Sequence, residues 1–235
     1  MTWRKIVARK KQPDKNDECK TKILIVDDHP IVRQGLAELI NHEDDLKVCG
    51  DAEDASDALG LIKESEPDMV IVDISLKETS GIELIKDIKA QYPGLSVLAL
   101  SMYDESLYAE RALRAGAKGY IMKAEATENV VIAIRKILSG QIYVSDNMAA
   151  KMVRKLVGGS PDVGASVIES LSDRELEVFY LIGQGYGTRQ VAKRLHLSVK
   201  TIETYRAHIK EKLNLADASE LLQYAIQWVH SQDKA

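Results

Sequence analysis

The most constraining feature of the sequence is a short apolar stretch, Met69–Leu76, which is interrupted by one carboxylate, Asp73. Strands with apolar residues on both faces are typical of the centre of a parallel sheet, because helices cover both of its sides. Ligands bind at the carboxyl ends of the strands in open sheets of this kind. The stretch therefore predicts a central strand with Asp73 at the mouth of a site, although an isolated acidic residue can also simply begin a loop.

Three more short apolar stretches end in polar groups. Lys22–Val26 precedes Asp27 and Asp28, Ser96–Leu100 precedes Ser101, and Gly119–Met122 precedes Lys123. Adjacent carboxylates repel one another unless a cation lies between them. Carboxylate oxygens suit Mg²⁺, which retains waters and accepts phosphate oxygens, and a lysine is a compact charge suited to a phosphoryl group. Together the four strand ends predict a site that moves a phosphoryl group onto a carboxylate.

Five predicted strands alternate with five predicted helices over residues 22–140. The strands are expected at about 22–26, 46–50, 69–73, 95–100 and 118–122, and the helices at about 30–42, 53–64, 80–91, 105–115 and 127–139. A capping box is expected to open the third helix, because Ser80 precedes Glu83 by three residues. The alternation predicts an α/β fold, a doubly wound five-stranded parallel sheet of order 2-1-3-4-5. The first and third strands are neighbours in that order, which brings Asp27 and Asp28 beside Asp73.

The stretch 22–140 resembles the receiver domain (CheY-like) of two-component response regulators. The family's acidic pair, phosphoacceptor, switch hydroxyl, switch aromatic and lysine fall on Asp27 and Asp28, Asp73, Ser101, Tyr120 and Lys123, in that order. The spacings also agree, since Ser101 and Lys123 follow Asp73 by 28 and 50 residues.

This resemblance implies how each group acts. Asp73 would accept a phosphoryl group from a sensor histidine kinase, and Lys123 would pair with the phosphoryl oxygens. Asp28, Asp73 and the backbone carbonyl of Ser75 would hold Mg²⁺. Asp27 would belong to the same metal site and would orient or charge that site. The Ser101 hydroxyl would turn to the phosphoryl group and draw Tyr120 inward, although simple packing of Tyr120 is the alternative.

The remainder of the chain predicts a second, all-α domain. Residues 141–168 are expected to form a linker, with a helix at 146–157 followed by the glycine-rich segment 158–166. In residues 169–231, Ser172 and Glu175 form a second expected capping box, and helices follow at 188–195, 199–213 and 217–228. A tight turn at residues 196–197 separates two of these helices, as in a helix-turn-helix.

Residues 170–215 resemble the LuxR-type DNA-binding domain, and the whole chain resembles the NarL/FixJ class of regulators. Side chains expected to contact DNA are Lys200, Thr201, Glu203, Thr204, Arg206, Ala207 and Lys210. Charge supports this resemblance independently, because residues 188–212 carry seven basic and two acidic side chains. Such an excess is typical of contact with phosphates, although a charged run can also be a solvated helix face.

Composition limits the cellular setting. Residues 1–21 predict a flexible basic tail, and an arm that touches nucleic acid is the alternative interpretation. Two cysteines, Cys19 and Cys49, in 235 residues indicate reduced thiols and a cytoplasmic protein. No run of 18 apolar residues exists, and the N-terminus lacks the apolar core of a signal peptide.

The favoured hypothesis is a cytoplasmic transcription regulator, not an enzyme, that is phosphorylated on Asp73 and changes its dimerisation or its domain docking to control DNA binding. It is expected to form a homodimer on phosphorylation or on double-stranded DNA. One rival is a phosphotransferase or phosphatase with an aspartyl-phosphate intermediate, but no second acid–base residue stands out for it. The other rival is a DNA-binding protein in which the first domain only dimerises, independently of phosphate. The intact set of site residues argues against this second rival.

Overall fold

The protein was studied as a computed structural model, in which residues 20–76, 80–158 and 167–232 are described. The predicted basic tail, apart from its last two residues, lies outside the described residues. The glycine-rich segment predicted at 158–166 also lies outside them, apart from Gly158.

The first half of the chain is a parallel five-stranded sheet of order β2-β1-β3-β4-β5, as predicted. Its strands are β1 (Thr21–Val26), β2 (Leu46–Ala52), β3 (Met69–Asp73), β4 (Ser96–Ser101) and β5 (Gly119–Met122). The helices between and after them are α1 (Pro30–Asn41), α2 (Ala55–Ser65), α3 (Gly81–Gln91), α4 (Glu105–Ala115) and α5 (Ala126–Leu138). Strand β2 continues beyond its predicted end at Gly50, because Asp51 and Ala52 still pair with β1.

The two faces of the sheet are covered by different helices. Alternate strand residues face α1 and α5, and they are Ile23, Ile25, Met69, Ile71, Leu98 and Leu100. The intervening residues face α2, α3 and α4, and they are Leu24, Val26, Val70, Val72, Val97 and Ala99. All twelve have no exposed surface. Burial on both faces explains why the strands are apolar without alternation, and it leaves only the strand ends for polar chemistry.

Helix α3 begins as predicted at Ser80, but its capping box is incomplete. The Ser80 hydroxyl accepts a hydrogen bond from the Ile82 amide at 3.2 Å. The Glu83 carboxylate does not close the box, because it accepts a hydrogen bond from Lys86 at 2.6 Å. The prediction that Glu83 accepts a hydrogen bond from the Ser80 amide is therefore wrong. Lys86, one turn along the helix, offers the carboxylate a charged donor, which forms the stronger hydrogen bond.

The second half of the chain is helical. Helix α6 (Asp146–Gly158) follows the sheet domain, and α7 (Asp173–Gly183), α8 (Thr188–Arg194), α9 (Val199–Lys212) and α10 (Ala218–Gln232) form the C-terminal domain. The capping box at the start of α7 is complete, with Glu175 accepting from the Ser172 amide at 2.7 Å. The turn between α8 and α9 contains His196 at a φ of 53°, a left-handed conformation that reverses the chain tightly. This pair of helices is the predicted helix-turn-helix.

The apolar core of the C-terminal domain is continuous with one face of the sheet domain. Phe179 of α7 packs against Trp228 of α10 with ring centroids 5.4 Å apart. The buried cluster that contains Phe179 also contains Tyr108 of α4 and Ile168. The two domains are therefore docked against each other in this structure. Among the described residues, no helix has the length and apolar character needed to cross a membrane.

Candidate functional site

Three carboxylates meet where β1 and β3 end. Because these strands are neighbours, Asp27, Asp28 and Asp73 form an acidic pocket, with exposed fractions of 0%, 4% and 0%. One ligand atom from each of them, and one from His29, all lie within 4.8 Å of one another. Carboxylates this close and this buried repel one another, and a cation between them relieves the repulsion.

The side chain of Lys123 supplies one such cation. Its Nζ lies 2.7 Å from Asp27 Oδ2 and 2.7 Å from Asp73 Oδ2. Burial raises the pKa of Asp73 to about 6, with Asp27 adding to the rise and Lys123 opposing it. Burial also works against the charge of Lys123, but Asp73 and Asp27 outweigh it and raise the pKa of the ammonium group. One ammonium group is thus shared by two of the three carboxylates.

The acidic pocket has the donor set that suits Mg²⁺. Its oxygens are hard ligands from three carboxylates, and Mg²⁺ binds through one or two carboxylates while it keeps waters and takes up phosphate oxygens. The His29 ring lies at the rim, with Nδ1 2.6 Å from Asp28 Oδ1 and 3.2 Å from Asp27 Oδ1. Its position directly after the acidic pair was the only signal in the sequence for this placement.

The backbone after β3 is held tightly against Asp73. The amide of Ser75 donates a hydrogen bond to Asp73 Oδ1 at 3.1 Å. Gly81, at the start of α3, packs on the Asp73 carbonyl so closely that a Cβ atom there would overlap the carbonyl oxygen. A glycine is required at this position to let α3 approach the strand end.

Ser101 and Tyr120 lie on neighbouring strands beside the acidic pocket. Both are buried, and the Ser101 hydroxyl accepts a hydrogen bond from the Tyr103 amide at 3.0 Å. The Tyr120 hydroxyl donates to the Tyr103 carbonyl at 2.9 Å. The Tyr120 ring is thus already directed inward, and both groups converge on the segment that follows β4.

Helix α9 presents the residues expected to contact DNA. Lys200, Glu203, Thr204 and Ala207 are exposed, and Thr201, Arg206 and Lys210 are half-buried. The Thr204 hydroxyl donates to the Lys200 carbonyl at 3.1 Å, and Arg206 Nε lies 3.9 Å from Glu203 Oε2. None of the seven side chains is buried, so docking of the two domains does not cover this surface.

Two cations of the basic stretch 188–212 are engaged inside the C-terminal domain. The Lys212 ammonium donates to Glu175 Oε2 at 2.6 Å. Arg194 lies over the Tyr186 ring, 4.0 Å from its centroid, and donates to the Tyr186 hydroxyl at 2.8 Å. The charge of Lys212 is therefore offset by a carboxylate within the domain, whereas Arg194 keeps its positive charge, because a tyrosine side chain is neutral.

Comparison with known proteins agrees with both the acidic pocket of the first domain and the helix-turn-helix of the second. Residues 23–135 match the response regulator receiver domain, and residues 169–225 match the luxR family of bacterial regulatory proteins. The oxygen regulatory protein NreC of Staphylococcus carnosus is 37% identical over 210 residues, covering 88% of this chain and 97% of NreC. The chain is a LuxR-type response regulator. It belongs to the NarL/FixJ type and is a phosphorylation-controlled, DNA-binding transcription regulator, not an enzyme.

Solved structures of response regulators share the fold. A LuxR-family response regulator from an Aurantimonas species is 35% identical and has a TM-score of 0.55, covering 59% of this chain and 99% of its own. RcsB of Salmonella enterica serovar Typhimurium, bound to a promoter in the presence of the phosphomimetic BeF₃⁻, is 25% identical with a TM-score of 0.54. It covers 87% of this chain and 97% of RcsB.

The two domains are docked through specific contacts that the sequence interpretation did not name. Arg111 of α4 donates to the carbonyls of Leu171 and Ile168, at 2.7 and 3.1 Å, and to Asp173 Oδ1 at 3.1 Å. The Tyr103 ring meets the Tyr180 ring of α7 edge-on, with centroids 5.5 Å apart. Both contacts come from the receiver segments that follow Ser101. The side chains of Ser101 and Tyr120 bond the backbone of Tyr103, whose ring makes the second of these contacts.

Proposed function

We propose that Asp73 is the phosphoacceptor of this regulator and that a sensor histidine kinase is the donor. A carboxylate oxygen of Asp73 attacks the phosphorus, the bond from phosphorus to the imidazole nitrogen of the donor breaks, and an acyl phosphate forms. The observation that carries this proposal is the shared contact of Lys123 with Asp73 and Asp27, at 2.7 Å each. A lysine held at the attacking carboxylate is placed to neutralise the phosphoryl oxygens.

The residues of the acidic pocket fit Mg²⁺ as the cofactor. Asp28, Asp73 and the Ser75 carbonyl would hold the ion, and Asp27 would keep Lys123 in place beside it. When bound, the ion offsets negative charge on the transferred group. The chain's own contribution is positional, since the Ser75 amide and the close approach of Gly81 fix the Asp73 carboxylate.

The proposed readout is binding of a homodimer to double-stranded DNA in the cytoplasm, where bacterial DNA is found. Helix α9 would enter the major groove with the exposed side chains Lys200, Glu203, Thr204 and Ala207, while Thr201, Arg206 and Lys210 flank them. Ser101 and Tyr120 would report the phosphoryl group to α4 and so change domain docking or dimerisation. The Arg111 and Tyr103 contacts support this route, because they join α4 and the segment after β4 to the DNA-binding domain.

The DNA contacts separate into two roles that substitutions distinguish. Lys210→Ala should weaken binding to all sequences and reduce the salt slope by about one unit, because it removes one phosphate contact. Thr204→Ala should change sequence preference with the salt slope nearly unaltered, because a short hydroxyl reads base edges. Fluorescence titration of specific and scrambled duplexes at several salt concentrations measures both quantities.

Lys118→Ala is the matched control for the DNA experiment. Lys118 is an exposed lysine just before β5, on the receiver, and its loss should leave the salt slope and the sequence preference as in the wild type. Indistinguishable effects of Lys210→Ala and Thr204→Ala would show that the roles assigned to these residues are wrong.

A further inference from the structure

The DNA-binding domain places a buried carboxylate against the loop that follows the phosphoacceptor strand. Glu177 of α7 is only 3% exposed, and its Oε1 accepts a hydrogen bond from the Ser75 hydroxyl at 3.1 Å. Ser75 is two residues from Asp73 and its amide bonds the Asp73 carboxylate. The domain interface thus reaches the phosphoacceptor site through one residue.

A second group from the same helix holds the same loop. Arg174 donates to Glu177 Oε2 at 2.8 Å, and its guanidinium also donates to the Leu76 carbonyl. Two consecutive loop residues, Ser75 and Leu76, are therefore bound by side chains one turn apart on α7. Docking therefore fixes the position of this loop at two points, and the loop loses this constraint when the domains separate.

The carboxylate of Glu177 lies where water is largely excluded. It is only 3% exposed, and its two oxygens accept hydrogen bonds from the Ser75 hydroxyl and from Arg174. Charges interact strongly where water is excluded. A phosphorylated Asp73 carries about two negative charges in place of one, as phosphorylated side chains do near neutral pH, so the repulsion on Glu177 grows when Asp73 is phosphorylated.

We propose that Glu177 is a positioning residue that couples phosphorylation of Asp73 to docking of the DNA-binding domain. In the docked form it holds the Ser75 hydroxyl and so fixes the loop whose carbonyl is a proposed Mg²⁺ ligand. The added phosphoryl charge weakens this contact, and the charge of Glu177 in turn opposes the build-up of negative charge at Asp73 during phosphoryl transfer, so the docked domain slows phosphorylation. The inference rests on the proposed role of Asp73 and deepens it.

This coupling differs from simple occlusion of DNA contacts. The exposed residues of α9, Lys200 and Thr204 among them, are accessible while the domains are docked. What docking holds is the phosphoacceptor loop, together with the start of α7 that Arg111 of α4 also binds. Docking therefore acts on phosphorylation of the receiver, and release frees the DNA-binding domain to reorient.

Glu177→Gln in the full chain tests the charge directly. The amide keeps an acceptor for Ser75 and nearly the same volume, but it carries no charge. With acetyl phosphate and Mg²⁺, the initial rate of labelling should rise by about fivefold, which corresponds to a barrier lower by about 1 kcal/mol. In the wild type, BeF₃⁻ with Mg²⁺ should speed amide hydrogen exchange in peptides covering residues 74–76 and 171–178. This increase should be reduced in Glu177→Gln.

Glu169→Gln is the matched control, because it removes a carboxylate at the same interface that faces Arg114 of α4 at 3.7 Å and not the phosphoacceptor loop. Its labelling rate should equal that of the wild type. Ser75→Ala provides a second variant if Glu177→Gln folds poorly. It removes the hydroxyl that satisfies Glu177, and it should also speed labelling and loosen the interface.

The possible failures are distinguishable. A wild-type protein that takes no label on Asp73 would contradict the proposed function itself. A wild type that labels on Asp73, together with Glu177→Gln and Ser75→Ala variants that label at the wild-type rate and show the wild-type exchange response, would overturn the coupling alone. Equal acceleration in Glu169→Gln would also overturn it, since the effect would then not be specific to the contact with the phosphoacceptor loop.

Discussion

Asp73→Asn should abolish labelling by acetyl phosphate, reducing incorporation by about two orders of magnitude or more, to background. The amide has no carboxylate oxygen to attack phosphorus, while its size and its hydrogen bond from the Ser75 amide are retained. Removal of Mg²⁺ from the wild type should have the same result, because phosphoryl transfer relies on a cation to offset charge. Intact-mass spectrometry and the amount of acid-labile label measure the incorporation of phosphate in both experiments.

Asp87→Asn is the control for this experiment. Asp87 is an exposed carboxylate on α3, so its loss should leave labelling unchanged. Label that persists in Asp73→Asn, or that disappears in both variants, would show that Asp73 is not the nucleophile of this receiver.

Lys123→Ala should destabilise the protein by about 3–5 kcal/mol in the absence of Mg²⁺, the cost typical of removing one partner from a buried ion pair. Asp27 and Asp73 are both fully buried and would face each other without the ammonium group that now lies 2.7 Å from each. Mg²⁺ should restore more stability in this variant than in the wild type, since it binds the same oxygens. Urea unfolding with and without Mg²⁺ gives both values.

Lys118→Ala again serves as the control, since it removes an exposed lysine one residue before β5. It should change the free energy of unfolding by less than about 0.5 kcal/mol, as for an ordinary surface position. A Lys123→Ala protein as stable as Lys118→Ala, and with no added response to Mg²⁺, would mean that the acidic pocket does not depend on Lys123.

The sheet and the acidic pocket could be predicted because each depends on short-range pattern. Continuous apolar strands fix which residues are buried on both faces, and the strand order then brings Asp27 and Asp28 to Asp73 without any knowledge of side-chain contacts. The helix-turn-helix followed in the same way from helical spacing and from the capping box at Ser172. Periodicity and caps are local properties, and the structure reproduces the periodicity and the capping box at Ser172, whereas the box at Ser80 is incomplete.

The interdomain contacts could not be predicted, because they join residues that are far apart in sequence. Glu177 follows Ser75 by 102 positions, and nothing in the local pattern of α7 distinguishes a carboxylate that binds a loop from one that faces water. The same limit explains the incomplete capping box at Ser80, where Glu83 turns to Lys86, and the internal pairing of Lys212 with Glu175. In each case several partners satisfy the sequence rule, and packing selects one.

Control of DNA binding by the receiver is the central claim, and one experiment tests it most directly. Sedimentation velocity and DNA titration should be run on the same samples of wild type and Asp73→Asn, each with and without acetyl phosphate and Mg²⁺. Phosphorylated wild type should show a larger mass or an altered frictional ratio, together with a higher affinity for DNA that depends on protein concentration if dimerisation drives it. Asp73→Asn should show neither change. Equal mass, compactness and DNA affinity in phosphorylated wild type and Asp73→Asn would contradict the claim that the receiver controls the DNA-binding domain.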